Sequence, residues 1–168
     1  MKKYELTNEV IHVGSRNLYR IRALRDFSDV MEGDLGGFVE RESNLSHYGN
    51  CWIYDNARVS GYARIFGNAQ ASGEAKVFDN AQISGEAKVR NNACIYEKAY
   101  LCGYVYVYEY AMIWGNATIN DCAQVRGNAW VHENALVCGH VIVRGNAEVC
   151  GNTKIDGNIE VNGTGVVY

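Results

Sequence analysis

The sequence predicts an all-β chain folded as a parallel β-helix, a three-sided solenoid with 18 residues per turn. The main observation is a repeat, since residues 45–168 divide into six-residue units without insertion or deletion. In the 20 full units from 45 to 164, the first position is Ala 14 times and the third is Val, Ile or Leu 18 times. The fifth position is Gly 13 times, the sixth is Asn 11 times, and the chain contains no Pro.

Each position of the unit has a physical reason. Positions one and three alternate with polar positions two and four, which is the period of a short strand with one buried face. A small residue fits at position one, where three walls converge, and a β-branched residue at position three fills the interior. Gly and Asn tolerate positive φ and therefore predict a corner at positions five and six. A strand of about four residues followed by a bend every six residues favours coiling over hairpins.

Three units then make one turn, and residues 18 apart stack in parallel about 4.8 Å from each other. Residues 45–168 give nearly seven turns, a prism on the order of 33 Å long. We therefore predict one structural domain with two parts, an N-terminal cap segment over 1–44 and the β-helix over 45–168.

The cap segment lacks the repeat but has strand patterning. Residues 18–24 alternate in polarity, and the apolar stretch 10–13 before Gly14 predicts a hairpin partner for them. A solenoid needs its terminal turn covered, because open ladder groups would recruit another chain. The simplest role of this small β segment is that of a cap.

The repeat closely resembles the hexapeptide-repeat proteins, whose signature is an aliphatic residue followed four positions later by a small one, as in Val59 and Ala63. This resemblance implies the left-handed form of the parallel β-helix, which the spacing alone does not show. The stretches 18–27, 33–39 and 51–56 also resemble the YdcK-type group, which occurs in bacteria and their phages. The resemblance covers essentially the whole chain, but the repeat specifies fold far more firmly than function.

Counting in steps of 18 sorts the outward side chains into faces. One face carries two neighbouring columns that form an apolar and aromatic patch of several hundred Å² on an order-of-magnitude basis. The first column is Phe78, Tyr96, Trp114 and His132, continued by Cys150 and Tyr168; the second is Lys76, Cys94, Met112, Trp130 and Glu148. A belt of tyrosines that includes Tyr106 and Tyr108 encircles the turn between Tyr96 and Trp114.

We interpret this face as a binding interface and the chain as a non-enzymatic binding or scaffold protein. The expected partner is a protein or another copy of the chain, and the family resemblance implies a homo-oligomer, a trimer or a dimer. A phage-borne gene would point to binding of a host component, or to sequestering a small signalling molecule between subunits. The expected interface residues are Phe78, Tyr96, Met112, Trp114, Trp130, His132, Tyr106 and Tyr108.

The alternative is an acyltransferase. The resemblance implies an acyl-CoA donor and a site between subunits with a histidine as general base, which must reach the acceptor and titrate near neutrality. His132 is the candidate, and Glu148 is the carboxylate on its face. Such relatives often close the cleft with an extruded loop, which the unbroken coil does not offer, so the pattern favours the first interpretation. Replacement of His132 by alanine would abolish acyl transfer, but it would change partner binding only modestly.

Composition excludes several other classes. The formal net charge of −3 argues against a phosphate-directed nucleic-acid binder. No apolar run reaches the ~18 residues of a membrane span, and no secretory signal opens the chain, so we expect a cytoplasmic location, in the bacterium or in the host of a phage.

Six cysteines are expected to be free thiols, with Cys51 inward and Cys94, Cys102, Cys138 and Cys150 outward. No linear motif has zinc spacing, so we predict no metal site and no cofactor apart from acyl-CoA under the alternative.

Overall fold

Three sheets of stacked strands run along the chain in the computed structural model, which describes residues 2–168. The sheets contain ten, seven and six strands, and apart from the N-terminal hairpin their coil strands are parallel. This confirms the predicted all-β solenoid of about seven turns. Its left hand remains a prediction from the family resemblance.

The first three strands are longer than the rest: β1 (Tyr4–Val13), β2 (Arg16–Ala23) and β3 (Leu35–Val39). A single 3-10 turn, Glu42–Asn44, follows them. The coil strands are β4 (Trp52–Ile53), β5 (Arg58–Val59), β6 (Arg64–Ile65), β7 (Gln70–Ala71), β8 (Lys76–Val77), β9 (Gln82–Ile83), β10 (Lys88–Val89), β11 (Cys94–Ile95), β12 (Tyr100–Leu101), β13 (Tyr106–Val107), β14 (Met112–Ile113), β15 (Thr118–Ile119), β16 (Gln124–Val125), β17 (Trp130–Val131), β18 (Leu136–Val137), β19 (Ile142–Val143), β20 (Glu148–Val149), β21 (Lys154–Ile155), β22 (Glu160–Val161) and β23 (Val166–Val167).

The register of the coil is 18 residues, as the repeat predicts. Ile95 pairs with Ile113, for example, and each coil strand pairs with the strand three places later. The ladder strands contain two residues instead of the four that the pattern predicts. The reason lies at the corner, where the first amide of a unit donates a hydrogen bond to the carbonyl three residues earlier instead of to the next strand. Ala57 N, for example, donates to Tyr54 O at 3.2 Å.

The corners rely on more than glycine. The seven units that lack Gly at position five carry Asp, Asn or Glu there, and all seven residues adopt positive φ between 54° and 63°. Several of these carboxylates accept a hydrogen bond from the glycine amide one coil later, as Glu109 does from Gly127 N at 2.6 Å. That bond satisfies a corner donor and offsets the cost of the left-handed backbone.

The interior of the prism is a continuous stack of positions one and three. Ala123 and Val125 are representative, with 0% of their surface exposed. Because every coil buries the same small and β-branched pair, each coil packs only on its two neighbours. The outward side chains are therefore presented on a rigid, regularly spaced scaffold.

The cap hairpin is present as predicted, with β1 and β2 antiparallel and β2 antiparallel to β3. The chain then joins the coil, because β3 pairs in parallel with β5. Lys3 closes the end of the prism from a fully buried position, where its Nζ donates to Cys51 O at 2.7 Å. Burial lowers the pKa of this amine, and the nearby Cys51 thiol opposes the shift.

All six cysteines are free, and Cys51 points inward as expected. Cys138 and Cys150 occupy outward positions, yet both are buried, at 6% and 5% exposure. A small thiol in an outward column is shielded by larger neighbours, which for Cys150 are His132 and Glu148. Within residues 2–168 no helix has the length and apolar character needed to cross a membrane.

Candidate functional site

An aromatic column lies on the ten-stranded sheet, directly after strands β8, β11, β14 and β17. The rings of Phe78 and Tyr96 stack 5.0 Å apart, and those of Tyr96 and Trp114 stack 5.7 Å apart. Trp114 and His132 are closest, with centroids 4.2 Å apart and planes 3° from parallel. The 18-residue register alone produces this stack, because each ring stands at position four of consecutive turns.

The second column supplies an edge for the first. Met112 and Trp130 are register partners on β14 and β17, and the indole of Trp130 meets that of Trp114 edge-on at 5.8 Å. Trp130 is 44% exposed. These contacts hold Trp114 from three sides, so the ring on which His132 rests has little freedom to tilt.

His132 forms an ion-pair geometry with Glu148. Its Nε2 lies 2.8 Å from Glu148 Oε1, across one coil step. The two side chains are 12% and 31% exposed, so the pair is partly shielded from water but reaches the surface. Shielding of this degree strengthens the interaction relative to one in bulk water.

The second ring nitrogen of His132 is open. Nδ1 has no hydrogen-bond partner among residues 2–168, and it is not fully buried. When Nε2 donates its proton to Glu148, Nδ1 carries the lone pair. The pair is thus a carboxylate-oriented imidazole with its basic nitrogen free to meet a ligand.

Cys150 lies beside this pair. One donor atom each of His132, Glu148 and Cys150 lies within 4.8 Å of the others, so these three residues could hold a metal ion. Burial raises the pKa of the Cys150 thiol, and the charges of Glu148 and Glu133 raise it further. Both effects disfavour the thiolate, which is the nucleophilic form of cysteine.

Motif spacing alone missed this three-residue cluster. His132 and Cys150 are 18 residues apart, and Glu148 is 16 residues from His132. No zinc motif has such spacing in the linear sequence. The signal that finds it is the repeat itself, because counting by turns places all three in adjoining columns.

The structure does not bring every predicted interface residue together. Phe78, Tyr96, Met112, Trp114, Trp130 and His132 share the aromatic face. Tyr106 and Tyr108 instead belong to the coil of β13 in the seven-stranded sheet. There Lys88 lies over the ring of Tyr106 at 5.6 Å, and Arg126 lies over that of Tyr108 at 6.0 Å.

His12 and His47 lie in or next to the cap segment, outside the aromatic column, and each has a local partner. His47 stacks on Tyr4 at 4.5 Å and approaches Glu42 through Nε2 at 2.7 Å, in the cap. His12 contacts Asn17 across the hairpin turn at 2.8 Å. His132 is therefore the histidine that the fold places on the aromatic face.

A groove opens on the same face where the cap hairpin meets the coil. Its volume is about 270 Å³. Its walls combine apolar and cationic side chains: Val13, Arg16, Leu18, Arg58, Ser60, Lys76 and Phe78. Arg16 pairs with Glu40 at 2.9 Å, whereas Lys76 forms no ion pair among residues 2–168. Phe78 belongs to both the groove and the aromatic column, so the two features are continuous.

The unbroken repeat, the 18-residue register and the three stacked sheets fit a hexapeptide-repeat left-handed β-helix. No family model matches the chain. The chain is similar to YdcK of Escherichia coli strain K12, described as an uncharacterized acetyltransferase, with 38% identity over 68 residues. The similarity covers 36% of this chain and 21% of that protein, so it spans about a fifth of the relative's length.

This likeness agrees with the alternative interpretation of the sequence, acyl transfer. It gives no support to the non-enzymatic scaffold that we expected from the absence of an extruded loop. An extruded loop was one way to shelter a catalytic histidine. Here the Trp114 ring and Glu148 already orient and partly shield His132 within the coil.

Proposed function

We propose that the protein is an acyltransferase that moves an acyl group from a thioester such as acetyl-CoA to a hydroxyl or amine, with His132 as general base. The observation that carries the proposal is the 2.8 Å contact between His132 Nε2 and Glu148 Oε1. The name of the YdcK relative supports the same reaction class. The free nitrogen of the ring is on a face that a substrate can approach.

The reaction follows from this arrangement. Nδ1 of His132 takes the proton of the acceptor as its oxygen or nitrogen attacks the thioester carbonyl carbon. The carbon–sulfur bond then breaks, and the imidazolium returns the proton to the departing thiolate. Glu148 keeps the ring in the required tautomer and stabilises its positive charge while the proton is on it. We propose that transfer is direct and passes through no acyl-cysteine, because burial and the neighbouring carboxylates disfavour the thiolate form of Cys150.

The groove at the cap end supports a donor with an anionic carrier. Phe78 and His132 stand three coil steps apart, about 14 Å at the usual strand spacing. A donor whose phosphates meet the unpaired Lys76 would lie along the aromatic column with its thioester at His132. Lys76→Ala should then raise KM for the donor while leaving kcat unchanged, since it removes uniform binding.

A site between subunits is part of this proposal. The aromatic face is flat and open, so a second copy packed against it would cover the thioester and exclude water. We propose a homo-oligomer, for which a trimer measured by light scattering on a sizing column is the expected result. A strict monomer with full activity would contradict the shared site but not the role of His132.

The test of the catalytic role is release of CoA from acetyl-CoA in the presence of a panel of amino-sugar, sugar and polyamine acceptors. His132→Asn replaces the imidazole base with a smaller, uncharged amide and should lower kcat by about 10²–10⁴-fold. His140→Asn is the matched control, because His140 is exposed at a corner, and it should leave kcat unchanged. Equal activity of the two variants would overturn the assignment, and so would failure of the wild type to transfer acetyl to any acceptor.

A further inference from the structure

We propose that His132, Glu148 and Cys150 form a binding site for a divalent transition-metal ion of the zinc class. A nitrogen, a carboxylate oxygen and a sulfur, one from each residue, lie within 4.8 Å of one another. The site itself does not depend on the proposed acyl transfer.

The backbone places two of the three ligands with little freedom. His132 N donates to Val149 O at 3.0 Å, and Cys150 N donates to Val167 O at 2.9 Å, so both residues are fixed in consecutive rungs of one ladder. The imidazole plane is fixed in turn by the Trp114 ring at 4.2 Å. Two donors are thus held one coil step apart before any ion arrives, which reduces the entropic cost of binding.

The third ligand can adjust. In a tetrahedral zinc site, metal–ligand lengths of about 2.0–2.3 Å place the donors about 3.3–3.8 Å apart. A donor pair at the 4.8 Å limit would need to draw together by about 1.0–1.5 Å to reach that spacing, whereas His132 Nε2 and Glu148 Oε1, now 2.8 Å apart, would separate by about 0.5 Å. Glu148 is the most exposed of the three, at 31% of its side chain, and its carboxylate can rotate to supply the movement.

The donor set selects the kind of ion. Thiolate and imidazole ligands suit zinc and its neighbours in the first transition row, whereas magnesium and calcium prefer an all-oxygen shell. The ion would displace the thiol proton to solvent and form a metal–sulfur bond. Three protein ligands leave a fourth position, which would hold water or a ligand.

One consequence links this site to catalysis, and it rests on the proposed function. An ion bound to the imidazole occupies a ring lone pair and draws Glu148 away from its present hydrogen bond. The metal-loaded protein should therefore lose transferase activity that a chelator restores. Metal binding and acyl transfer are measured separately, so either can fail without the other.

The experiment is titration of the reduced, metal-free protein with Co²⁺, followed by absorbance. Wild type should bind one Co²⁺ per chain with a thiolate-to-cobalt charge-transfer band in the near ultraviolet and the intense visible bands of four-coordination. Cys150→Ser should abolish the charge-transfer band, and His132→Ala should weaken binding by about 10²-fold or more. One equivalent of Zn²⁺ should displace the cobalt.

The matched control is Cys94→Ser, because Cys94 lies in the neighbouring column of the same face, three coils from Cys150. It should retain both bands and the affinity. Far-ultraviolet circular dichroism of each variant shows whether the coil has remained folded, and Cys150→Ala provides a second replacement if the serine variant unfolds. The proposal is wrong if wild type gives no thiolate band, or if the band persists in a folded Cys150 variant.

Discussion

Trp114 is the residue on which the candidate site depends most, and its replacement by alanine should affect both stability and activity. The indole stacks on His132 and Tyr96 and meets Trp130 edge-on. Each aromatic pair is worth about 0.5–1.5 kcal/mol beyond simple burial. Because the ring is only partly buried, we expect Trp114→Ala to lower the free energy of unfolding by about 2–4 kcal/mol, somewhat less than for a fully buried tryptophan.

Urea unfolding followed by far-ultraviolet circular dichroism measures this change, with the midpoint shifting and the slope remaining constant. Tyr104→Ala is the control, since its ring is 64% exposed and forms no aromatic pair among residues 2–168. That variant should change the free energy of unfolding by less than about 0.5 kcal/mol. Equal, small effects of the two replacements would refute the argument that the column stabilises the coil.

The same variant tests how the column orients His132. Without the indole the imidazole can tilt away from Glu148, and a misplacement of this size reduces catalysis on the order of 10²-fold. A double-mutant cycle of Trp114→Ala with His132→Ala should give a coupling energy of about 0.5–1.5 kcal/mol. Coupling near zero would mean that the two parallel rings do not interact energetically.

Three further predictions concern the scaffold. Gly85→Ala should lower the free energy of unfolding by about 2–4 kcal/mol, because it adds left-handed strain and a Cβ 2.6 Å from a backbone nitrogen of the next coil. The control is Gly157→Ala, which has open space around the new Cβ and should therefore show only the strain, about 1–2 kcal/mol. Thermal melting measures both changes. Glu109→Ala should lower the free energy of unfolding by about 1 kcal/mol, because the hydrogen bond to the amide of the next coil is lost. Glu109→Gly should be nearly neutral, because glycine relieves the strain of positive φ and this offsets the lost bond. Equal urea midpoints for the two variants would contradict this prediction. Burial raises the pKa of Tyr4, so the folded chain keeps a proton that the unfolded chain loses above pH 10.0. The free energy of unfolding should therefore fall as pH rises above 10.0. Denaturant titrations at several pH values measure this fall, and Tyr4→Phe should remove the part of it that Tyr4 causes.

The sequence was sufficient for the coil because its repeat constrains every level at once. Alanine at position one and a β-branched residue at position three set the buried face, and the fixed length of six sets the register of 18. The columns of outward side chains follow from that register by counting. Strand length was less predictable, because hydrogen bonds within the corner remove residues from the ladder that the polarity pattern alone assigns to it.

The acidic corners show a different limit. Glu109 and Glu133 occupy a glycine position, and nothing in their residue type favours positive φ. Their carboxylates reach the glycine amide of the next coil, at 2.6 and 2.7 Å. The repeat places donor and acceptor one coil apart, but only the structure shows that the carboxylate reaches the amide.

The candidate site was predictable in position but not in chemistry. Counting by turns places His132 and Glu148 on one face, but the hydrogen bond between them depends on ring orientation, which Trp114 determines. Likewise, the repeat predicts the outward position of Cys150 but not its exposure. Its burial depends on the size of the neighbouring side chains rather than on periodicity.

The central claim is that Glu148 orients His132 as the base of an acyl transfer, and kcat/KM of Glu148→Gln for CoA release from acetyl-CoA tests it most directly. The amide of the variant can donate to Nε2 and so favour the tautomer in which Nδ1 carries the proton. We predict a fall on the order of 10²–10⁴-fold, with Glu160→Gln, whose carboxylate pairs with Arg144 on another sheet, as an unaffected control. A folded Glu148→Gln variant with wild-type kcat/KM would contradict the account.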